Sequence, residues 1–129
     1  MKSRSILLAT ALLLVALAGC RTAPIYNPSG VPLTPPPNAT QQQIGNAIKH
    51  AGSRLGWTMT DQGPGEILAV LQERNRRAEV LISYDKSSFS INYRDSANLK
   101  VDGDTIHKRY NAWVEKLEAT IQKQVRAGG

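Results

Sequence analysis

The sequence predicts an α+β fold, a two-layer sandwich. A four-stranded antiparallel meander carries an N-terminal and a C-terminal helix on one face, in the order α-β-β-β-β-α. Three observations predict it. Apolar residues recur at helical spacing after a capping pair at Thr40 and Gln43. Apolar and polar residues alternate through three hairpins between Trp57 and Arg94, and a second helical stripe runs from Ile106 to Val125.

In the first helix, Ile44, Ala47, Ile48, Ala51 and Leu55 lie on one face before Gly56 ends it. Trp57 and Met59 then alternate up to the turn Gly63-Pro64-Gly65. In the next hairpin a two-residue turn at Asn75-Arg76 sets Leu71 against Val80, Ala69 against Ile82 and Ile67 against Tyr84. The third hairpin opposes Tyr84 with Phe89, Ile82 with Ile91 and Val80 with Tyr93. One sheet face thus collects the large apolar residues and requires cover. The second helix begins near Asp104 or Thr105, and Ile106, Tyr110, Trp113, Leu117, Ile121 and Val125 form its stripe.

The whole chain has 129 residues, 16 Lys plus Arg against 10 Asp plus Glu, and one cysteine. That length holds one domain, and a single cysteine excludes an internal disulfide or a cysteine-based zinc site. Residues 1–19 read as a cleaved export signal: a basic start at Lys2 and Arg4, an apolar run from Ile6 to Ala16, and a small-residue end. The run is too short for the ~30 Å of hydrocarbon that a permanent span must cross. Residues 20–38 hold six of the seven prolines and read as an extended tether reaching up to about 55 Å. Residues 39–129 form the folded domain.

Leu17-Ala18-Gly19-Cys20, directly after that run, resembles the lipobox of bacterial lipoproteins. The resemblance implies cleavage between Gly19 and Cys20, a diacylglyceryl group on the Cys20 thiol, and acylation (palmitate or a similar chain) of the new amino terminus. Several acyl chains make a stable anchor where one is marginal. Arg21 in place of Asp implies sorting to the outer membrane, on its periplasmic side.

A second resemblance covers about a third of the chain. Tyr84-Asp85, Ser90-Ile91-Asn92-Tyr93, Asp95-Ser96-Ala97-Asn98-Leu99, Ile106-His107, Tyr110-Asn111, Trp113-Val114, Leu117 and Ile121 are similar to a family of small uncharacterised proteobacterial lipoproteins. Val101-Asp102-Gly103 departs from the aromatic-bearing loop of that pattern. The resemblance implies a family and no activity.

Three groups of residues are candidates for function. Asp95, Ser96, Asn98, His107 and Asn111 form a polar group where the last strand meets the second helix, either satisfying loop backbone or recognising a polar ligand. Leu68, Val70 and Leu81 fall on the sheet face away from the helices, a small apolar patch suited to a partner or a homodimer. Arg74, Arg76 and Arg77 crowd one hairpin tip, where they serve solubility or contact an anionic surface.

Catalysis is not expected. There is no Gly-x-Ser-x-Gly elbow and no phosphate loop, and His50 and His107 are the only histidines. No metal site and no cofactor beyond the acyl lipid are expected, and nucleic acid is an unlikely partner outside the cytoplasm. The expected partners are the membrane, the machinery that processes and sorts lipoproteins, and an envelope protein or a second copy. The reading is therefore a lipid-anchored envelope protein that binds or scaffolds. The alternatives are a small envelope enzyme or enzyme inhibitor using Asp95, His107 and Asn111, or a structural homo-oligomer.

Overall fold

The structure is a computed structural model and describes residues 21–128. The expected signal 1–19, its cleavage point at Gly19 and the acylated Cys20 lie outside the described residues. In chain order the elements are β1 (Thr22–Pro24), β2 (Val31–Pro32), α1 (Gln41–Arg54), β3 (Thr58–Gly63), β4 (Glu66–Glu73), β5 (Arg76–Tyr84), β6 (Ser88–Ala97), β7 (Thr105–His107) and α2 (Lys108–Ala127). The class is α+β as expected, but the main sheet has five strands, ordered β2-β6-β5-β4-β3, and β1 pairs with β7 in a second, two-stranded sheet.

Helix α1 starts where the sequence places it. The Thr40 side chain accepts the Gln43 amide at 3.1 Å, and the Gln43 side chain accepts the Thr40 amide at 2.9 Å. This reciprocal capping satisfies two donors that a helix start otherwise leaves open. The helix ends at Leu55 and Gly56, whose φ of 92° suits glycine.

The β4–β5 hairpin keeps its expected face but shifts by two residues. Ile67 pairs with Ile82, Ala69 with Val80 and Leu71 with Ala78, closed by a turn at Arg74-Asn75 in which Arg74 takes a φ of 56°. A two-residue slip leaves side-chain parity intact, so every inward residue stays inward. The β5–β6 pairing matches expectation at Tyr84–Phe89, Ile82–Ile91 and Val80–Tyr93. Past Val80 a bulge at Arg94 brings Asp95 opposite Glu79.

The largest departure concerns the proline-rich segment. Residues 21–38 are extended, as expected, but they do not hang free as a tether: they strap the domain. Val31 and Leu33 are buried in the same core as both helices and the sheet. Burial of two such side chains is worth about 1.5–3 kcal/mol each. Proline has no N–H, so the prolines of this strap bind through their carbonyls, while residues such as Ile25, Tyr26 and Leu33 donate their amides. The carbonyl of Pro28 accepts the Ile91 amide at 2.9 Å, that of Pro24 the Asn111 side chain at 2.9 Å, and that of Pro32 the Gln122 side chain at 3.2 Å. The Asn27 side chain accepts the Tyr93 amide at 2.8 Å. The strap therefore covers the donors along the outer edge of β6, which would otherwise be an open sheet edge.

The second helix also starts later than expected. Ile106 belongs to strand β7, drawn into pairing by β1 through Ala23, and His107 caps α2 with Nδ1 accepting the Arg109 amide at 3.0 Å. Tyr110, Val114, Leu117, Ile121 and Val125 are its buried apolar residues, Gln124 is buried beside them, and Trp113 is only partly buried. They meet Ile44, Ile48 and Ala51 of α1 and the inward residues of the sheet in one core.

Candidate functional site

The expected polar group is scattered over separate structural tasks. The Asn111 Oδ1 accepts the Tyr26 amide at 3.0 Å while its Nδ2 donates to Pro24, so this residue holds the strap. The Asn98 side chain donates to the Asn75 carbonyl and ties the β4–β5 turn to the loop after β6. Asn98 itself has a φ of 58°, a left-handed position that asparagine tolerates. Ser96 exchanges a hydrogen bond of 2.8 Å with the Tyr93 hydroxyl. Asp95 accepts the Ser96 amide at 2.9 Å and stands 3.9 Å from Arg77.

His107 is the one member in a distinctive electrostatic setting. Burial, followed by the positive fields of Arg76, Lys100, Arg109 and Arg21, holds its imidazole below the ordinary histidine range. Its Nδ1 already accepts a helix amide, so the proton of the neutral ring sits on Nε2.

The outer sheet face is as expected in composition. Leu68, Val70 and Leu81 are each partly exposed there. Leu68, not Val70, lies directly across from Leu81, because of the two-residue slip, and Val70 faces Glu79. The three arginines of the hairpin divide. Arg77 donates to Glu79 at 3.0 Å and also faces Asp95, which relieves the two opposed carboxylates. Arg74 and Arg76 form no ion pair among the described residues.

One concavity escaped the sequence reading. A cleft of about 390 Å³ opens between α1 and the β3–β4 turn, lined by residues including Gln41, Asn46, Lys49, Asp61, Gly65 and Tyr84. Lys49 and Asp61 form an exposed ion pair of 2.8 Å within it. Burial first, and then the Asp61 charge, pushes the Tyr84 phenol up from its ordinary value. The raised phenol stays protonated near neutral pH, and the Asp61 carboxylate is occupied by Lys49. The local signal for this cleft was only the Gly63-Pro64-Gly65 turn; its other wall comes from a helix distant in sequence.

Among the described residues, no three His, Cys, Asp or Glu side chains converge as metal ligands, and no helix is long and apolar enough to cross a membrane. Compared with protein-family models, curated proteins and solved structures, the chain matches none.

Proposed function

We propose that this chain is an acyl-anchored protein of the bacterial envelope, held through Cys20 on the periplasmic side of the outer membrane, whose domain binds or scaffolds rather than catalyses. The address rests on Leu17-Ala18-Gly19-Cys20 after an apolar run, and on the resemblance to small proteobacterial lipoproteins. The observation that carries the non-catalytic half is the role of Asn111. Asn111, one of the five residues of the expected polar group, has both ends of its amide engaged by the strap. The outer sheet face, with Leu68, Val70 and Leu81 in a polar surround, is then the natural contact surface for an envelope protein or a second copy.

The test is to extract the wild-type chain and a Cys20→Ala variant from bacterial membranes after mild cross-linking and to read intact mass and captured proteins together. The proposal predicts a chain beginning at Cys20 with added acyl mass, a Cys20→Ala chain that keeps its signal, and cross-links lost in Val70→Lys or Leu81→Lys. An unmodified Cys20 in the mature chain contradicts the anchor. Cross-links indifferent to both lysine variants contradict the contact surface.

A further inference from the structure

The docked strap changes where the membrane sits relative to the domain. A free tether would let the domain float tens of ångströms away, whereas here the fold begins at Thr22, two residues after Cys20. What surrounds that exit point is therefore what meets the lipid.

Several segments converge there. Thr22 pairs with His107, which sets Arg21 beside the start of α2 with Lys108 and Arg109. The His107 amide donates to the Leu99 carbonyl at 2.8 Å, bringing Lys100 to the same end, with Val101 alongside β7 between it and the Asp102–Thr105 bridge. The Asn98 side chain reaches Asn75 and adds the hairpin tip with Arg74 and Arg76. Arg21, Arg74, Lys100, Lys108 and Arg109 are exposed, and Arg76 partly so. None of the six is in an ion pair among the described residues. Glu73, opposite Arg76, is the carboxylate flanking the tip, and Asp102 and Asp104 lie toward the other end of β7, where the Asp104 carbonyl receives the Ile25 amide.

Val101 is the exposed large hydrophobic residue of the described chain, at 43%. It stands in a loop shaped by left-handed φ values of 58° at Asn98, 55° at Lys100 and 60° at Gly103. A lone exposed aliphatic is ordinary on a protein surface. One that follows the unpaired Lys100, on a segment joined by hydrogen bonds to the other cations of this end and near the proposed lipid attachment point, has the composition of an interfacial contact even with Asp102 beside it.

We propose that this basic end, from Arg21 through Arg76, Lys100 and Arg109 with the exposed Val101 beside it, docks on an anionic phospholipid surface and fixes the orientation of the domain, leaving the outer sheet face clear of the lipid. The location of the membrane rests on the acyl anchoring proposed above; the charge of the surface does not.

The test uses the full chain purified from membranes in detergent, with the mass of Cys20 read first, so that failure of the anchor is scored separately. The protein is reconstituted on phosphatidylcholine vesicles with and without phosphatidylglycerol, and backbone hydrogen exchange is followed. Docking predicts slower exchange across 98–109 on the anionic vesicles only, reversed by raised salt. It also predicts that each of Lys100→Glu and Arg109→Glu lowers that anionic-specific protection by about fivefold or more, while the acyl chains keep the protein on the vesicle. If Cys20 carries no lipid, cosedimentation of the same chain with phosphatidylglycerol vesicles still reads the surface. Exchange at 98–109 identical on both vesicles, or protection confined to another face, overturns the inference, as does protection at 98–109 that raised salt leaves unchanged.

Discussion

The Asn111 side chain accepts the backbone amide of Tyr26 at 3.0 Å, joining the last helix to the strap across 85 positions of chain. One carboxamide thus does for the strap what a strand ladder does for a sheet. Replacing it with alanine leaves the Tyr26 amide and the Pro24 carbonyl without partners. Asn111→Ala should cost about 1–3 kcal/mol in chemical denaturation, and proteolysis should begin in residues 21–38. A variant as stable as wild type, with the strap equally protected, would contradict this role.

Tyr26 makes a second clasp, donating its hydroxyl to Glu118 at 2.7 Å. That hydrogen bond first, with burial and the charges of Glu118 and Glu115, pushes the Tyr26 phenol up to about 12 from 10.0. A group whose pKa is raised on folding contributes stability that is complete below pH 10 and lost as pH rises toward 12. Absorbance titration of the phenols should show Tyr26 ionising late, together with the raised phenols of Tyr84 and the buried Tyr110. In Glu118→Gln one of the late-ionising phenols should move down toward pH 10 while the others stay late, and the alkaline loss of stability should shrink with it.

His107 reports on the opposite side of neutrality. Its folded pKa lies below the ordinary 6.5, so the unfolded chain binds its proton first and stability falls as pH drops below about 6.5. Protonation would also remove the Nδ1 acceptor that caps α2. His107→Asn, a neutral capping residue, should keep the helix start and flatten this acid-side loss in thermal melts at pH 7 and pH 5. An unchanged pH profile would contradict the assignment.

Tyr110 is fully buried against Tyr93, with ring centroids 5.6 Å apart in an edge-on arrangement, and its hydroxyl has no hydrogen-bond partner among the described residues. A buried, unpaired hydroxyl costs about 1–3 kcal/mol. Tyr110→Phe keeps the ring and should leave the protein equally stable or more so. A loss above about 1 kcal/mol in urea unfolding would mean that the hydroxyl is satisfied after all.

Gly45 lies in the interior of α1, where alanine would ordinarily gain about 1 kcal/mol. Here a Cβ would collide with the Tyr84 hydroxyl and ring. Gly45→Ala should therefore destabilise, and the same change in a Tyr84→Ala background should become neutral or favourable. Equal effects in both backgrounds would contradict the close approach.

The sequence carried much of this fold for reasons that can be named. Thr40 and Gln43 satisfy each other within one turn, so α1 was legible locally. Strand alternation assigns faces, which is why Leu68, Val70 and Leu81 fall where expected. It does not distinguish registers two residues apart, and the left-handed Arg74 moved the β4–β5 turn. The strap was misread because prolines signal locally what they cannot do. That they serve as acceptors for Ile91, Asn111 and Gln122 depends on partners about 60 to 90 positions away. The polar group from Asp95 to Asn111 was legible as a junction, but the claim of the strap on Asn111 was not.

The docking of residues 21–38 on the domain decides how near the fold stands to the anchor proposed at Cys20. Hydrogen exchange at the amides of Ile25, Leu33, Ile91 and Tyr93 tests it most directly. These donate to Asp104, Ser87, Pro28 and Asn27 respectively, each at 2.8 or 2.9 Å. The account predicts exchange slowed at all four, with Ile91 and Tyr93 losing protection when the strap is loosened by Asn111→Ala. Exchange at the rate of an unstructured peptide at Ile25 and Leu33, with Ile91 and Tyr93 open as a bare sheet edge, would contradict it.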